Sequence, residues 1–117
     1  MEMIEAVAAL SALAHEGRLA VFRMLVQIGH EGIAAGEIAR RLDVPANTLS
    51  SNLNILSHAR LIAGRRDGRS IIYTARYEVM TELLEYLMQN CCAGNPEICA
   101  PLAALALDSR CCEAGEA

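Results

Sequence analysis

A mainly α fold with one β-hairpin (α+β) follows from three observations along this 117-residue chain. Apolar residues recur at helical spacing in five separate stretches. Two of those stretches are divided only by Asp43-Val44-Pro45. Directly after them, Arg65-Arg66-Asp67-Gly68-Arg69 separates two runs of strand-like composition. A short helix, a tight turn and a second helix make a helix-turn-helix, and a hairpin that follows one immediately is a wing. The predicted fold is a winged helix-turn-helix.

The first helix covers 2–14, where Ile4, Val7, Ala8, Leu10 and Leu13 keep a helical period beside a face of small residues. The second covers 16–28, with Leu19, Phe22, Met24, Leu25 and Ile28, and stops near Gly29. Residues 35–42 form a short helix with Ile38, Ala39 and Leu42 inward, and 46–59 form the next. The runs Leu61-Ile62-Ala63 and Ser70-Ile71-Ile72-Tyr73 flank an Asp-Gly pair, a strong hairpin signal. Helix returns at 77–90 with a broad stripe of Val79, Met80, Leu83, Leu84, Leu87 and Met88. Residues 100–107 suggest one or two further helical turns before an acidic end. Residues 1–92 are therefore expected to form the DNA-binding and dimerisation domain, and 93–117 a cysteine-containing tail.

Composition agrees with one small aliphatic core: there is no Trp and a single Phe. The N-terminus carries acid where a signal peptide would carry base, and no run approaches the ~20 apolar residues of a membrane span. A cytoplasmic protein is expected, in which thiols stay reduced and serve ligation or redox sensing. The net charge of −4 hides a local excess. Residues 36–76 carry seven Arg against three acids, while 77–117 carry seven acids and one Arg. A basic centre of this kind matters more for phosphate contact than the global sum does.

Leu49, Leu53 and Leu56 define the buried face of the 46–59 helix, so Asn47, Ser50, Ser51 and Asn54 project the other way. This helix has no Asp, Glu, Lys or Arg. A short-chained, uncharged polar face suits close approach to base edges in a major groove. The expected DNA contacts are Asn47, Thr48, Ser50, Ser51, Asn52 and Asn54 from the helix, and Arg65, Arg66 and Arg69 from the hairpin tip. Arg40 and Arg41 lie on a helix surface where Arg is common and are not assigned.

All five cysteines fall in the last 27 residues, three of them in Cys91-Cys92-Ala-Gly-Asn-Pro-Glu-Ile-Cys99. The Gly94-Asn95-Pro96 reversal lets the third sulfur fold back on the first two. Three thiolates suit trigonal-pyramidal As(III) or Sb(III). Zinc would want a fourth ligand, and the segment offers only Glu97. Cys91, Cys92 and Cys99 are the expected metalloid ligands, with Cys111 and Cys112 a separate tail pair. His15, His30 and His58 are scattered and read as surface or capping residues. No Cys has Arg six positions later and no Cys-x-x-Cys occurs, which argues against arsenate-reductase or thioredoxin-like chemistry.

The chain resembles the ArsR/SmtB family of winged-helix repressors. Arg18 to Leu25 is similar to the family's second helix, Val44 to Leu53 to its recognition helix and Gly68 to Tyr73 to its wing, all in order within residues 4–92. The resemblance implies a homodimer, a double-stranded DNA operator of inverted repeats, and repression relieved by a metal or metalloid ion. Subgroups with C-terminal cysteines make As(III) the first choice of inducer. A soft divalent ion (Cd, Pb or Zn) or thiol oxidation is the alternative. Many relatives carry His or Arg where Ser51 and Asn52 stand here. The Cys-x-Cys of familiar arsenic sensors is absent from Glu37-Ile38-Ala39-Arg40-Arg41-Leu42-Asp43. The dimer should form through 2–14 and 77–90, so that charge at Leu83 would separate the protomers.

Overall fold

The structure is a computed structural model that describes residues 1–89. Its elements are α1 (Met3–Leu13), α2 (Glu16–Ile28), β1 (Ile33–Ala34), α3 (Ala35–Leu42), α4 (Ala46–His58), β2 (Ile62–Asp67), β3 (Ser70–Ala75) and α5 (Tyr77–Met88). The expected winged helix-turn-helix is present. The expected turns at 100–107 lie outside the described residues, and α5 stops at Met88 rather than at residue 90.

α1 buries its small residues, Ala6, Ala9 and Ala12, and packs on α2 and α4. Alanine lets helices approach closely, and here it leaves the larger Met3, Ile4, Val7 and Leu10 exposed. Two polar devices fix the joint between α1 and α2. His15 Nδ1 accepts from the Gly17 and Arg18 N–H groups at 3.1 and 3.4 Å, satisfying donors that the first turn of α2 leaves free. The Arg18 guanidinium donates to the carbonyls of Ala12 and Ser11 at 2.6 and 3.4 Å, placing positive charge on the C-terminus of α1. His15 is thus a capping residue, as its isolation in the sequence suggested.

The core lies where α2, α3 and α4 meet the sheet. Leu25, Ile38, Leu56 and Leu61 are completely buried. α3 ends at Asp43 in the left-handed region (φ 53°), and Pro45 starts α4 at φ −61°, so Asp43-Val44-Pro45 makes the turn between them.

The sheet runs β1-β3-β2, all antiparallel. Ile62 faces Ala75 at the base of the hairpin and Asp67 faces Ser70 at its end. Asp67 closes the strand and Gly68-Arg69 forms the loop, with Gly68 at φ 64° as the first position of such a two-residue turn requires. β1 has only two residues, Ile33 and Ala34, paired with Tyr73 and Ile72. A strand that short carries no periodicity and was not expected.

α5 returns across the back of the domain. Tyr77 donates its hydroxyl to the Val26 carbonyl at 2.8 Å and meets the His30 ring edge-on with centroids 5.1 Å apart. Val79 and Leu83 enter the core, while the Tyr86 hydroxyl reaches Met3 Sδ at 3.6 Å and ties α5 to α1. Leu84, Leu87 and Met88 remain exposed. No helix among the described residues is long and apolar enough to cross a membrane.

Candidate nucleic-acid interface

α4 presents Asn47, Thr48, Ser50, Ser51 and Asn54 to solvent, opposite the buried Leu49, Leu53 and Leu56. Its first turn holds no acid, and Pro45 offers no side-chain cap. The positive end of the helix dipole is left without a carboxylate, a setting that favours an approaching phosphate. One local bond exists there: Asn47 Oδ1 accepts from the Thr48 N–H at 3.0 Å.

Asn52 does not share this face. It is 8% exposed, the one polar residue in the buried set among the described residues, and it packs inward toward α2. Its place among the expected base contacts is corrected: position 52 is three residues after Leu49 and four before Leu56, which puts it on the inner stripe.

The three wing arginines also divide. Arg65 Nη2 donates to the Glu31 carbonyl at 2.8 Å, so this side chain ties the wing to the loop before β1 instead of reaching from the tip. Arg66 is the penultimate residue of β2 and Arg69 stands in the turn. Ser50 of α4 and Arg69 of the wing line the same groove, of about 330 Å³, which Tyr73 and the start of α3 complete. Helix and wing therefore open onto one surface.

On α3, Arg40 grips Glu37 with its Nε and Nη2, and Arg41 Nε lies 3.4 Å from the same carboxylate. The Arg40 hydrogen bonds lower the Glu37 pKa to about 2. The ion pairs therefore help the fold fully above the ordinary value of 4.5 and lose that effect as pH falls toward 2. Both arginines already have a partner on their own helix, in keeping with their being left unassigned.

Replacing Arg66 or Arg69 by Ala should weaken binding to operator and random DNA alike. Each should reduce the salt dependence of log affinity by ~1. Arg65→Ala should leave that slope nearly unchanged. Anisotropy titrations across a salt series check this, and a slope that falls for Arg65 alone would reverse the assignment.

Cys91, Cys92 and Cys99 lie outside the described residues, as do Cys111 and Cys112. Among the described residues no group of three or more His, Cys, Asp or Glu is placed to hold a metal ion. α5 ends with its cap at Gln89, two positions before Cys91 in the sequence.

A family model described as a helix-turn-helix domain matches residues 13–65, from the end of α1 into β2. The biofilm growth-associated repressor of Agrobacterium fabrum is 32% identical over 89 residues, covering 76% of this chain and 74% of that protein. HlyU from Vibrio cholerae N16961 is 33% identical, with a TM-score of 0.59 over 74% of this chain and 97% of that one. A reduced form of that HlyU superposes with a TM-score of 0.58 at 31% identity, covering 74% of this chain and 90% of that one. The homodimeric winged helix-turn-helix domain of Mb0332 from Mycobacterium bovis, a possible ArsR-family regulator, is 26% identical. It superposes with a TM-score of 0.62 and covers 74% of this chain and 84% of that domain.

Proposed function

Because this chain belongs to the ArsR-like family of winged helix-turn-helix transcriptional regulators, we propose that it represses transcription as a metalloid-responsive homodimer. The observation that carries the DNA half of this reading is the uncharged polar face of α4, opening onto the same groove as Arg69 of the wing. Repression is supported by the relative that is itself a repressor, and the dimer by the homodimeric Mycobacterium bovis domain. α1 and α5 supply the contact, with Met3, Ile4, Val7 and Leu10 on one helix and Leu84, Leu87 and Met88 on the other. A twofold axis there turns two α4 helices toward an inverted-repeat operator. The protein works in the cytoplasm, where its cysteines stay reduced.

The inducer is As(III) or Sb(III), held by Cys91, Cys92 and Cys99. Support comes from the donor set: three soft thiolates and no fourth ligand of similar quality within the segment. Cys91 follows α5 so closely that ligation can bias how the two protomers meet, and with them the spacing of the two α4 helices. By linkage, metalloid weakens operator binding by the factor that operator weakens metalloid binding, ~1–3 kcal/mol in systems of this kind. Cys91→Ser, Cys92→Ser and Cys99→Ser should each bind operator normally and fail to release it with arsenite. The Cys111→Ser/Cys112→Ser double variant should release it nearly as wild type does. A fluorescence-anisotropy titration with arsenite reads both, and the opposite pattern would move the site to the tail pair.

A second reading is thiol oxidation at the vicinal Cys91-Cys92, favoured by the HlyU relative known in a reduced form. Soft divalent ions compete for the same sulfurs. Release by peroxide or Cd(II) but not by arsenite would select this alternative.

A further inference from the structure

The cleft between the start of α2 and the inner side of α4 is a candidate for a second kind of control. It has a volume of about 270 Å³, just below the ~300–1,000 Å³ usual for ligand pockets. Val21, Leu42, Val44 and Leu49 give it an apolar wall. Glu16 and Asn52 give it a polar end, beside the bare Cα of Gly17.

Asn52 makes this cleft unusual. The residue is 8% exposed, and its amide makes no hydrogen bond to another described residue. No side-chain N or O among the described residues is sealed from solvent without a partner. The Asn52 amide is therefore within reach of solvent, and the residue lines the cleft. Nδ2 lies 3.0 Å from where a Gly17 Cβ would stand, and the His15 ring is 3.2 Å from the same point. Because its N and O atoms are not sealed from solvent, water can satisfy the amide in the free protein, and an occupant would take that water's place. Nδ2 is the end beside Gly17, the Oδ1 end of the same amide can accept N–H donors, and Glu16 on the lining favours a positive one.

The geometry points to a binding site for a small organic cation, an amidinium or primary amine carrying a short apolar body. The head would donate to Asn52 and Glu16, and the body would lie on Val21, Leu42, Val44 and Leu49. These residues belong to α2, the end of α3, the inter-helix turn and α4, so an occupant sits where the recognition helix rests on its support. Occupancy would change operator affinity independently of the cysteines. The binding site stands on the cleft alone, while its coupling to operator rests on the DNA-binding reading above.

The test uses the full-length, reduced, metal-free protein with benzamidine as the probe and benzoate as its charge-reversed control. In ¹H–¹⁵N spectra, benzamidine should cause saturable shifts at Gly17, Ala20, Val44 and the Asn52 side-chain amide, and benzoate none. Ala20 also lines the cleft, so Ala20→Phe should crowd it and abolish these shifts, and Asn52→Leu should weaken binding several-fold with the rest of the spectrum preserved. Operator affinity should change several-fold with saturating benzamidine, in wild type and in Cys91→Ser/Cys92→Ser/Cys99→Ser alike. Absent or scattered shifts, or equal shifts in Asn52→Leu, overturn the site. Saturable binding with unchanged operator affinity overturns the coupling. Failure of the unliganded protein to bind any operator would instead refute the DNA-binding reading, and the spectra would still decide the site.

Discussion

Leu84→Glu or Leu87→Glu should yield a folded monomer whose operator affinity falls by ~100-fold or more. Both side chains are about half exposed in the single protomer (51% and 52%), so a carboxylate there meets water and the core is untouched. In the proposed dimer the same carboxylate would be buried near its symmetry mate, which costs several kcal/mol unless it is paired. Two linked half-site contacts gain ~10²–10⁴ over one through effective concentration, and a monomer forfeits that factor. Leu83 is the wrong probe: it is 5% exposed and inside the protomer, so Leu83→Glu should unfold the chain instead of dividing it. Analytical ultracentrifugation beside circular dichroism separates the two results. A Leu84→Glu protein that stays dimeric would place the interface elsewhere.

Gly32→Ala should destabilise the domain by ~2–4 kcal/mol, from left-handed backbone strain together with overpacking. Gly32 has φ +75°, and an added Cβ would stand 2.7 Å from both the Tyr73 carbonyl oxygen and Ile72 Cγ2. The carbonyl cannot rotate away, because β3 is held between β1 and β2. Relief would require moving β1, and with it the Glu31 carbonyl that holds Arg65. The wing should lose its seat along with the stability. Gly36→Ala is the matched control: it lies in α3 with open space around it, so alanine should be neutral or stabilising by up to ~1 kcal/mol. Urea unfolding of the two variants gives the comparison, and equal midpoints would mean that the loop before β1 adapts freely.

Helices and hairpin were legible because their signals are local. Helical periodicity, the Asp43-Val44-Pro45 turn and the Asp67-Gly68 pair mark the same elements in the sequence and in the structure. β1 was not legible, since its two residues gain strand geometry only from Tyr73 and Ile72 across the sheet. Asn52 was misplaced by residue type: polarity argued for the outer face, while its spacing from Leu49 and Leu56 argued for the inner one, and spacing decided. Arg65 shows a different limit. Its partner is a backbone carbonyl 34 positions earlier, and no side-chain pattern announces that. The metalloid ligands remain a reading of donor chemistry, because they lie outside the described residues.

The alanine face of α1 has a consequence beyond packing. By spending Ala6, Ala9 and Ala12 on its own protomer, the helix keeps its larger aliphatic groups for a second chain. Part of the apolar burial is then completed only when two chains meet, so assembly adds to the stability of a protomer that already has its own core. The thermal midpoint should rise with protein concentration, since each tenfold dilution withdraws ~1.4 kcal/mol from a bimolecular equilibrium at 25 °C. Scans across a hundredfold concentration range would reveal this, and a constant midpoint would mean that the interface adds nothing to stability. Copy number in the cell would then set how much dimer exists as well as how much operator it fills.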